Sequence, residues 1–229
     1  YHPLFLGKYQ RRMRFPKSVD LVINIGSKDG HGAPDGGHLI HVSSDADIIG
    51  KRNFTDLPIL AHADSFISDL SDALDGVLTK DRMKRIREER LEVSSSYKQK
   101  IKESRNSALN ANFDNVPISW ERVGYELEQV LDEDAVLVPE IGSQDYKLLG
   151  SMKIGYGAKR QIGRTTGSAL GWGVGAALGV QMALPNSQVV SIQGDGGMLF
   201  GQTETLWSIS RYDAPLLIIV MNNHSYNET

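Results

Sequence analysis

The chain has 229 residues, of which 40% are hydrophobic and 23% are charged, and it contains no cysteine. This composition is typical of a globular protein with a sizeable core and excludes a wholly disordered or fibrous chain. The lack of cysteine excludes disulfides, thiol catalysis and cysteine-bound zinc or iron–sulfur clusters, and it fits a cytoplasmic location. With 25 basic and 28 acidic side chains the net charge is −3, so general nucleic-acid binding is not expected.

The first part of the chain predicts an α/β layer. Residues 20–26 are mostly apolar and end in a glycine turn, which indicates a buried strand. A glycine-rich loop follows, and residues 39–43 and 57–61 predict two further strands. Asp64 is placed to cap a helix whose apolar side chains recur at helical spacing. Strands that alternate with helices predict an α/β arrangement.

The segment 79–105 differs in composition from its surroundings. Charged side chains of both signs predominate between Lys80 and Glu92, with few apolar residues among them. A solvated helix that joins two domains explains this pattern. A nucleic-acid surface would instead need an excess of positive charge and interleaved aromatic side chains.

A second α/β block begins near Val116, where Ser119 is placed to cap a helix. Its strand-like segments are apolar without alternation, which favours parallel strands covered by helices on both faces. The predicted strands are residues 135–138, 189–193 and 216–221, and the predicted helices are 142–149 (after a turn), 172–184 and 203–212.

Residues 165–194 carry no charge and are long enough to span a membrane. However, the stretch is rich in glycine, contains Gln181 and is interrupted at Pro185. Membrane spans are richer in leucine, isoleucine and phenylalanine. A helix buried against a sheet explains the segment better, and no membrane contact is expected.

The strongest functional signal is the sequence Gly-Asp-Gly-Gly at Gly194–Gly197, followed after the next predicted strand by two asparagines that end at Asn223. Asp195 and Asn223 each come just after a strand, and parallel strands joined by a helix bring such ends to one edge, where α/β sheets bind ligands. Carboxylate and amide oxygens suit Mg²⁺. Glycines at a helix N-terminus leave backbone N–H groups accessible to phosphate. The pattern therefore predicts a site for a metal-bridged diphosphate.

This motif resembles the signature of thiamine diphosphate (ThDP) enzymes, and its flanks are similar to the acetolactate synthase and benzoylformate decarboxylase group. The resemblance covers nearly the whole chain and implies two α/β domains with parallel sheets and helices on both faces. Residues 1–78 are similar to the C-terminal part of the middle domain, residues 79–115 form a charged helical linker, and residues 116–229 are similar to the diphosphate-binding domain without its C-terminal end.

The resemblance also implies roles for individual residues. Asp195, the side chain of Asn223 and the backbone carbonyl of Ser225 would bind Mg²⁺. Leu170 would be an apolar wedge beneath the bent cofactor, and the carbonyl of Ser168 would accept from its 4′-amino group, although relatives often have glycine at this position. The diphosphate would be contacted by Gly142, Ser143, Gly194, Gly196 and Gly197, beside Asn223 and Ser225.

The function implied by the resemblance is a ThDP- and Mg²⁺-dependent reaction of 2-oxo acids. Decarboxylation with carboligation, as in acetolactate synthases, is the first expectation, and simple decarboxylation is the alternative. A homodimer or homotetramer with the cofactor at the subunit interface is also implied. The activating glutamate lies in a separate domain in that family, so no catalytic residue is assigned here.

Three points remain open from the sequence. The chain begins without methionine and stops soon after a predicted strand, so we expect a fragment that is inactive alone. The middle domain would bind a flavin such as FAD, an adenine nucleotide or nothing. A homologue that binds ThDP without catalysis also fits the residues.

A dehydrogenase is the alternative from another class. Residues 171–176 fit the GxGxxA pattern of dinucleotide-binding proteins, and Asp195 follows at a suitable distance. Such a motif must directly follow a strand, and residues 164–168 do not predict one.

Overall fold

The computed structural model describes residues 2–6, 19–28, 32–33, 36–154, 159–163, 169–201 and 203–224. The chain divides into two compact units, and the division falls between Gln99 and Lys100. Each unit contains one sheet, and all strand pairs in both sheets are parallel. The predicted α/β class with parallel sheets is therefore confirmed.

The first unit is built on a sheet of three strands in the order β1 (Leu21–Ile25), β2 (His38–Ser43) and β3 (Leu57–Leu60). All three strands were predicted within two residues of these bounds. Leu39 and Val42 of the central strand are fully buried. The other two strands are shielded less, so this unit has a small core.

Two helices follow the first sheet: α1 (Ala63–Val77) and α2 (Lys80–Asn112). The prediction that Asp64 caps α1 was wrong, because the N-cap residue is His62 and Asp64 lies inside the first turn. Its charge still favours the helix N-terminus there. The helix predicted within the charged segment is confirmed, and it extends beyond the first unit to Asn112.

The sheet of the second unit has four strands, and their order is β5-β4-β6-β7. The three strands predicted from apolar runs are confirmed, but β5 was missed because it is only two residues long. The bounds are β4 (Val136–Glu140), β5 (Arg160–Gln161), β6 (Val189–Gly194) and β7 (Leu217–Met221).

The helices of the second unit begin close to their predicted positions. Ser119 caps α3 as expected, since its Oγ accepts a hydrogen bond from the N–H of Arg122 at 3.1 Å. The short helix α6 was not predicted, because glycine disfavours helix. The bounds are α3 (Trp120–Val130), α4 (Asp145–Gly150), α5 (Gly173–Ala183), α6 (Asp195–Phe200) and α7 (Glu204–Arg211).

Helices cover both faces of the second sheet, because successive side chains of a strand point to opposite faces. On one face Leu137 and Ile192 pack with Leu127 of α3. On the other face Val138 packs with Ala177 of α5. The described helices include none with the length and apolar character that a membrane span requires.

Candidate functional site

Three neighbouring strands of the second sheet end at the same edge. Glu140 of β4 pairs with Gln193 of β6, and Gly194 of β6 pairs with Met221 of β7. The chain passes from β4 to β5 on one side and from β6 to β7 on the other, so the strand order reverses between β4 and β6. Open α/β sheets bind ligands outside the carboxyl ends of their strands at such a reversal. This edge is therefore the candidate site.

Asp195 begins α6 directly after β6 and is half-buried. Its Oδ1 accepts a hydrogen bond from the N–H of Gly196 at 3.0 Å. Because Gly194 pairs with Met221, the Asp195 backbone lies beside the residues that follow β7. A carboxylate in this place can bind a cation at the edge of the sheet.

The segment after β7 forms a tight turn. Oδ1 of Asn222 accepts a hydrogen bond from the N–H of His224 at 2.8 Å, and His224 has a φ of 54°. Asn223 lies in the middle of this turn and is exposed. The two predicted metal ligands whose positions are described, Asp195 and Asn223, thus lie at adjacent strand ends. The third, Ser225, lies outside the described residues.

A metal at this edge would depend on amide and backbone oxygens as well as on Asp195. Among the described residues, no three histidine or acidic side chains form a group that could hold a metal ion. The geometry thus differs from a cluster of carboxylates or histidines.

On the other side of the reversal, the chain leaves β4 through a 3₁₀ turn at Gly142–Gln144. Gly142 has a φ of 59°, a left-handed conformation that glycine adopts without steric cost. The turn places the backbone of Ser143 beyond the end of β4. Those predicted diphosphate contacts that are described, before and after the reversal, therefore lie at one edge of the sheet.

Glu140, the last residue of β4, is a buried acidic group at this edge. It is 8% exposed, and its carboxylate accepts hydrogen bonds from the N–H of Gly173, at 2.7 Å, and from the N–H of Gly171. Gly173 begins α5, and the preceding residue, Trp172, has no side-chain acceptor with which to cap the helix. Glu140 therefore satisfies a donor of the α5 N-terminus from a neighbouring strand.

Two glycines allow this arrangement. A Cβ on Gly173 would overlap Nε2 of Gln193 and would lie 2.8 Å from Oε2 of Glu140. Gly171 has a φ of 85°, and a Cβ there would lie 2.5 Å from the backbone nitrogen of Gly201. The loop at 169–173 is therefore packed against the end of β4 and the end of α6.

Leu170 lies in this loop and is 47% exposed. Its neighbour Gly171 is held by Glu140, so the backbone on one side of Leu170 is fixed. Ser168, predicted to meet the amino group of the cofactor, lies outside the described residues. The predicted wedge is thus an exposed apolar side chain next to an anchored glycine.

The sequence did not single out Glu140, although the nearby Gly142 and Ser143 were predicted to contact the diphosphate. A usable signal was present, since it ends the otherwise apolar strand Val-Leu-Val-Pro-Glu. Glutamate is almost never fully buried without partners. A charged residue at the end of a strand buried on both faces therefore indicates a specific contact.

The Glu140 contact also bears on the dehydrogenase alternative. A dinucleotide would place its pyrophosphate on the N–H groups of the glycine-rich loop at the start of α5. Gly171 and Gly173 already donate to a carboxylate of the protein, which would repel a second anion. The described residues directly before α5, at 169–172, form no strand. The geometry does not support a dinucleotide here.

Known proteins resemble this chain in sequence. Residues 150–229 match the family described as "Thiamine pyrophosphate enzyme, C-terminal TPP binding domain". The chain is 25% identical to the probable acetolactate synthase large subunit of Methanococcus aeolicus, over 98% of this chain and 40% of the relative. It is 44% identical to the benzoylformate decarboxylase of Pseudomonas aeruginosa, over 25% of this chain and 11% of the relative.

A solved structure has a similar fold. It is a thiamine diphosphate-dependent 4-hydroxybenzoylformate decarboxylase from Rhodococcus jostii RHA1, with a TM-score of 0.58 and 21% sequence identity. The similarity covers 90% of this chain and 36% of that protein. The chain thus spans less than half the length of these proteins.

Proposed function

We propose that the chain belongs to the thiamine diphosphate-dependent enzymes of the acetolactate synthase and benzoylformate decarboxylase type, and that it forms part of a ThDP- and Mg²⁺-dependent enzyme acting on 2-oxo acids. The observation that carries the proposal is the meeting of Asp195 and Asn223 at adjacent strand ends beside a reversal of strand order. Both residues lie within the matched segment 150–229.

Mg²⁺ would be held by Asp195, the side chain of Asn223 and the backbone carbonyl of Ser225. Hard oxygen ligands of this kind are the ones that Mg²⁺ prefers. Asp195 is half-buried at the edge of the sheet, so its charge is partly shielded from water and available to a cation. The residues proposed to contact the diphosphate are Gly142, Ser143, Gly194, Gly196, Gly197, Asn223 and Ser225.

When bound, ThDP supplies an electron sink for the pair released when a 2-oxo acid loses carbon dioxide. The chain's own contribution is to bind and orient. Leu170 would hold the two rings of the cofactor in contact, and the carbonyl of Ser168 would accept from the 4′-amino group. The activating glutamate is expected outside this chain, so we assign no catalytic residue within it.

Decarboxylation with carboligation is the proposed reaction. Its support is the extent of similarity, since the relative from Methanococcus aeolicus named as an acetolactate synthase aligns over 98% of this chain. Simple decarboxylation is the second candidate, because the higher identity of 44% is to a benzoylformate decarboxylase, although over a quarter of the chain. The products formed from a 2-oxo acid distinguish the two.

We further propose the assembly and organisation implied by the resemblance. Residues 1–78 would belong to a middle domain, 79–115 to a linker and 116–229 to the diphosphate-binding domain of a cytoplasmic homodimer or homotetramer. Exposed apolar side chains beside the site support an interface in the second unit, because large apolar patches commonly mark association surfaces. They are Leu199 and Phe200 of α6 and Leu206 and Trp207 of α7.

The test is ligand binding by the complete gene product. Titration with ThDP in the presence of Mg²⁺ is expected to raise the melting temperature, whereas NAD leaves it unchanged, because only a ligand of the folded state stabilises it. A panel of 2-oxo acids then reports carbon dioxide release and the identity of the products. A shift with NAD but none with ThDP would contradict the proposal.

Asp195→Ala is the matched variant for the metal site. We expect the affinity for ThDP in Mg²⁺ to fall at least about tenfold, because a charged ligand of the bridging cation is lost. Asp134→Ala is the control, since Asp134 is an exposed acidic residue before the amino end of β4, at the opposite edge of the sheet. Unchanged affinity of Asp195→Ala would refute the metal assignment.

A further inference from the structure

Glu140 joins three segments of the candidate site through one carboxyl group. Its two oxygens accept from different donors, Oε1 from the N–H of Gly171 and Oε2 from the N–H of Gly173. On another side, a Cβ built on Gly197 would lie 3.4 Å from Cδ and Oε1 of Glu140. The end of β4, the loop before α5 and the first turn of α6 therefore meet at this side chain.

The orientation of this carboxyl group is fixed by its contacts. A buried carboxylate is costly unless hydrogen bonds replace its water, and bonds to backbone N–H groups do so strongly. Because both oxygens are engaged by donors that flank Trp172, the Glu140 side chain has little freedom to rotate. The same two hydrogen bonds also hold the loop backbone on both sides of Trp172.

This anchoring reaches Leu170, the residue directly before Gly171. Gly171 has a left-handed φ of 85° and approaches the backbone of Phe200 and Gly201 too closely for a Cβ. The position of the exposed Leu170 side chain relative to α6 therefore depends on a backbone that Glu140 holds in place.

From this geometry we propose that Glu140 is a positioning residue that sets the place of Leu170 relative to the Asp195–Gly197 turn, and thereby the affinity for ThDP. The inference rests on the proposed function, in which Leu170 and that turn contact the two ends of the same cofactor. It does not make Glu140 a contact of substrate. Its proposed effect is carried by the loop that holds Leu170.

Glu140→Gln is the first test. Glutamine keeps the size of the side chain but replaces one carboxylate oxygen with an NH₂ donor. One of the two backbone N–H groups then faces a donor and loses its hydrogen bond. In the complete gene product we expect the Kd for ThDP in Mg²⁺ to rise on the order of tenfold. At saturating ThDP, kcat should fall while the KM for the 2-oxo acid stays unchanged.

Glu128→Gln is the matched control. Glu128 lies on α3 and is also largely shielded. Its Oε2 accepts a hydrogen bond from the N–H of Lys153 at 2.9 Å and forms an ion pair with Nζ of Lys159 at 3.2 Å. The variant removes a charged contact in the same unit without touching the loop before α5. It should lower the melting temperature and leave the Kd for ThDP as in the wild type.

A double-mutant cycle with Leu170→Ala tests the route of the effect. If Glu140 acts through Leu170, Glu140→Gln should change the Kd for ThDP little once Leu170 is truncated, because coupled residues give non-additive effects. Fully additive changes in Kd would overturn the proposal, since they would mean that the two residues act independently.

The outcomes separate this inference from the proposed function. Wild-type protein that binds no ThDP overturns both. Wild-type protein that binds ThDP, with Glu140→Gln binding it equally well, overturns the inference alone, even if the variant is less stable.

If the Glu140→Gln variant fails to fold, a measurement on the wild-type protein tests the proposal instead. Hydrogen exchange of the cofactor-free protein should show slow exchange for the amides of Gly171 and Gly173, compared with the exposed loop residue Gly163. Exchange as fast as that of Gly163 would overturn the proposal, because the carboxylate would then not hold the loop.

Discussion

In the second sheet every residue of β4 is buried, whereas in the first sheet Leu21, Ile23 and Ile25 of β1 are all exposed. Both sheets are parallel and both are built from apolar runs. They differ in the helices that cover them. Helices pack on both faces of β4 and β6, whereas α1, which follows the first sheet, has no buried residue. An apolar parallel strand is therefore not evidence of burial by itself.

The comparison also explains where the candidate site forms. Strand ends can hold a ligand only if their register is fixed, and the second sheet fixes it through a core on both faces. Glu140, Gly194 and Met221 follow from this register as neighbours at one edge. We expect perturbations of the second core to disturb the site and perturbations of the first sheet to be tolerated.

Truncation of strand side chains tests this difference most strongly. Leu137 of β4 is fully buried, and Leu137→Ala should lower the free energy of unfolding by about 2–5 kcal/mol. Leu57 of β3 is 50% exposed, and Leu57→Ala should cost less than about 1.5 kcal/mol. Denaturant unfolding measures both. Equal losses would contradict the contrast between the two sheets.

Substitution of helical glycines by alanine tests the same difference in packing between the two units. A Cβ on Gly124 of α3 would overlap the carbonyl oxygen of Leu148, so Gly124→Ala should destabilise the protein by about 3 kcal/mol. Nothing lies within 4 Å of a Cβ at Gly76 of α1, so Gly76→Ala should stabilise it by about 0.5–1 kcal/mol. Thermal unfolding measures the two shifts, and the same sign for both would refute the packing difference.

Acid should act on the first sheet through Asp56. The pKa of Asp56 is lowered below its ordinary value of 3.8, first by the hydrogen bond that Oδ2 accepts from the N–H of Leu39, at 2.8 Å, and then by His38. Its contribution to stability is present above pH 3.8 and is lost as the pH falls through the folded pKa. The carboxylate is exposed, so we expect a small effect.

The Asp56 prediction has a matched pair of variants. Asp56→Asn should flatten the loss of stability between about pH 4 and pH 2. Asp72→Asn, which changes an exposed carboxylate of α1 in the same unit, should leave that loss in place. Unfolding midpoints measured across this range decide between them. An unaltered pH profile in Asp56→Asn would show that the Leu39 contact does not matter for stability.

Much of the fold was predictable because it depends on local patterns. The apolar runs of β4, β6 and β7 indicated buried parallel strands, and Ser119 carried a cap signal that needs only the next three residues. The elements that were not predicted were either too short or depended on contacts with residues distant in the sequence. β5 has two residues, and α6 begins in a glycine-rich sequence that has no helix propensity of its own.

The candidate site shows the same division. Asp195 and Asn223 could be predicted because each follows an apolar strand and the rule for parallel sheets brings such ends together. The partners of Glu140 could not be predicted, because they lie more than thirty residues further along the chain. No periodicity links a strand end to the N–H groups of Gly171 and Gly173. Only the packed structure shows that the three meet.

Two adjacent strand ends are proposed to hold a divalent cation bound to ThDP. The most direct measurement is a crystal structure of the complete gene product with ThDP and Mn²⁺ in place of Mg²⁺, with the anomalous signal of manganese used to locate the ion. We predict one peak within coordination distance of an Asp195 carboxylate oxygen and the Asn223 amide oxygen. Bound ThDP with the peak at any other set of ligands would contradict the account.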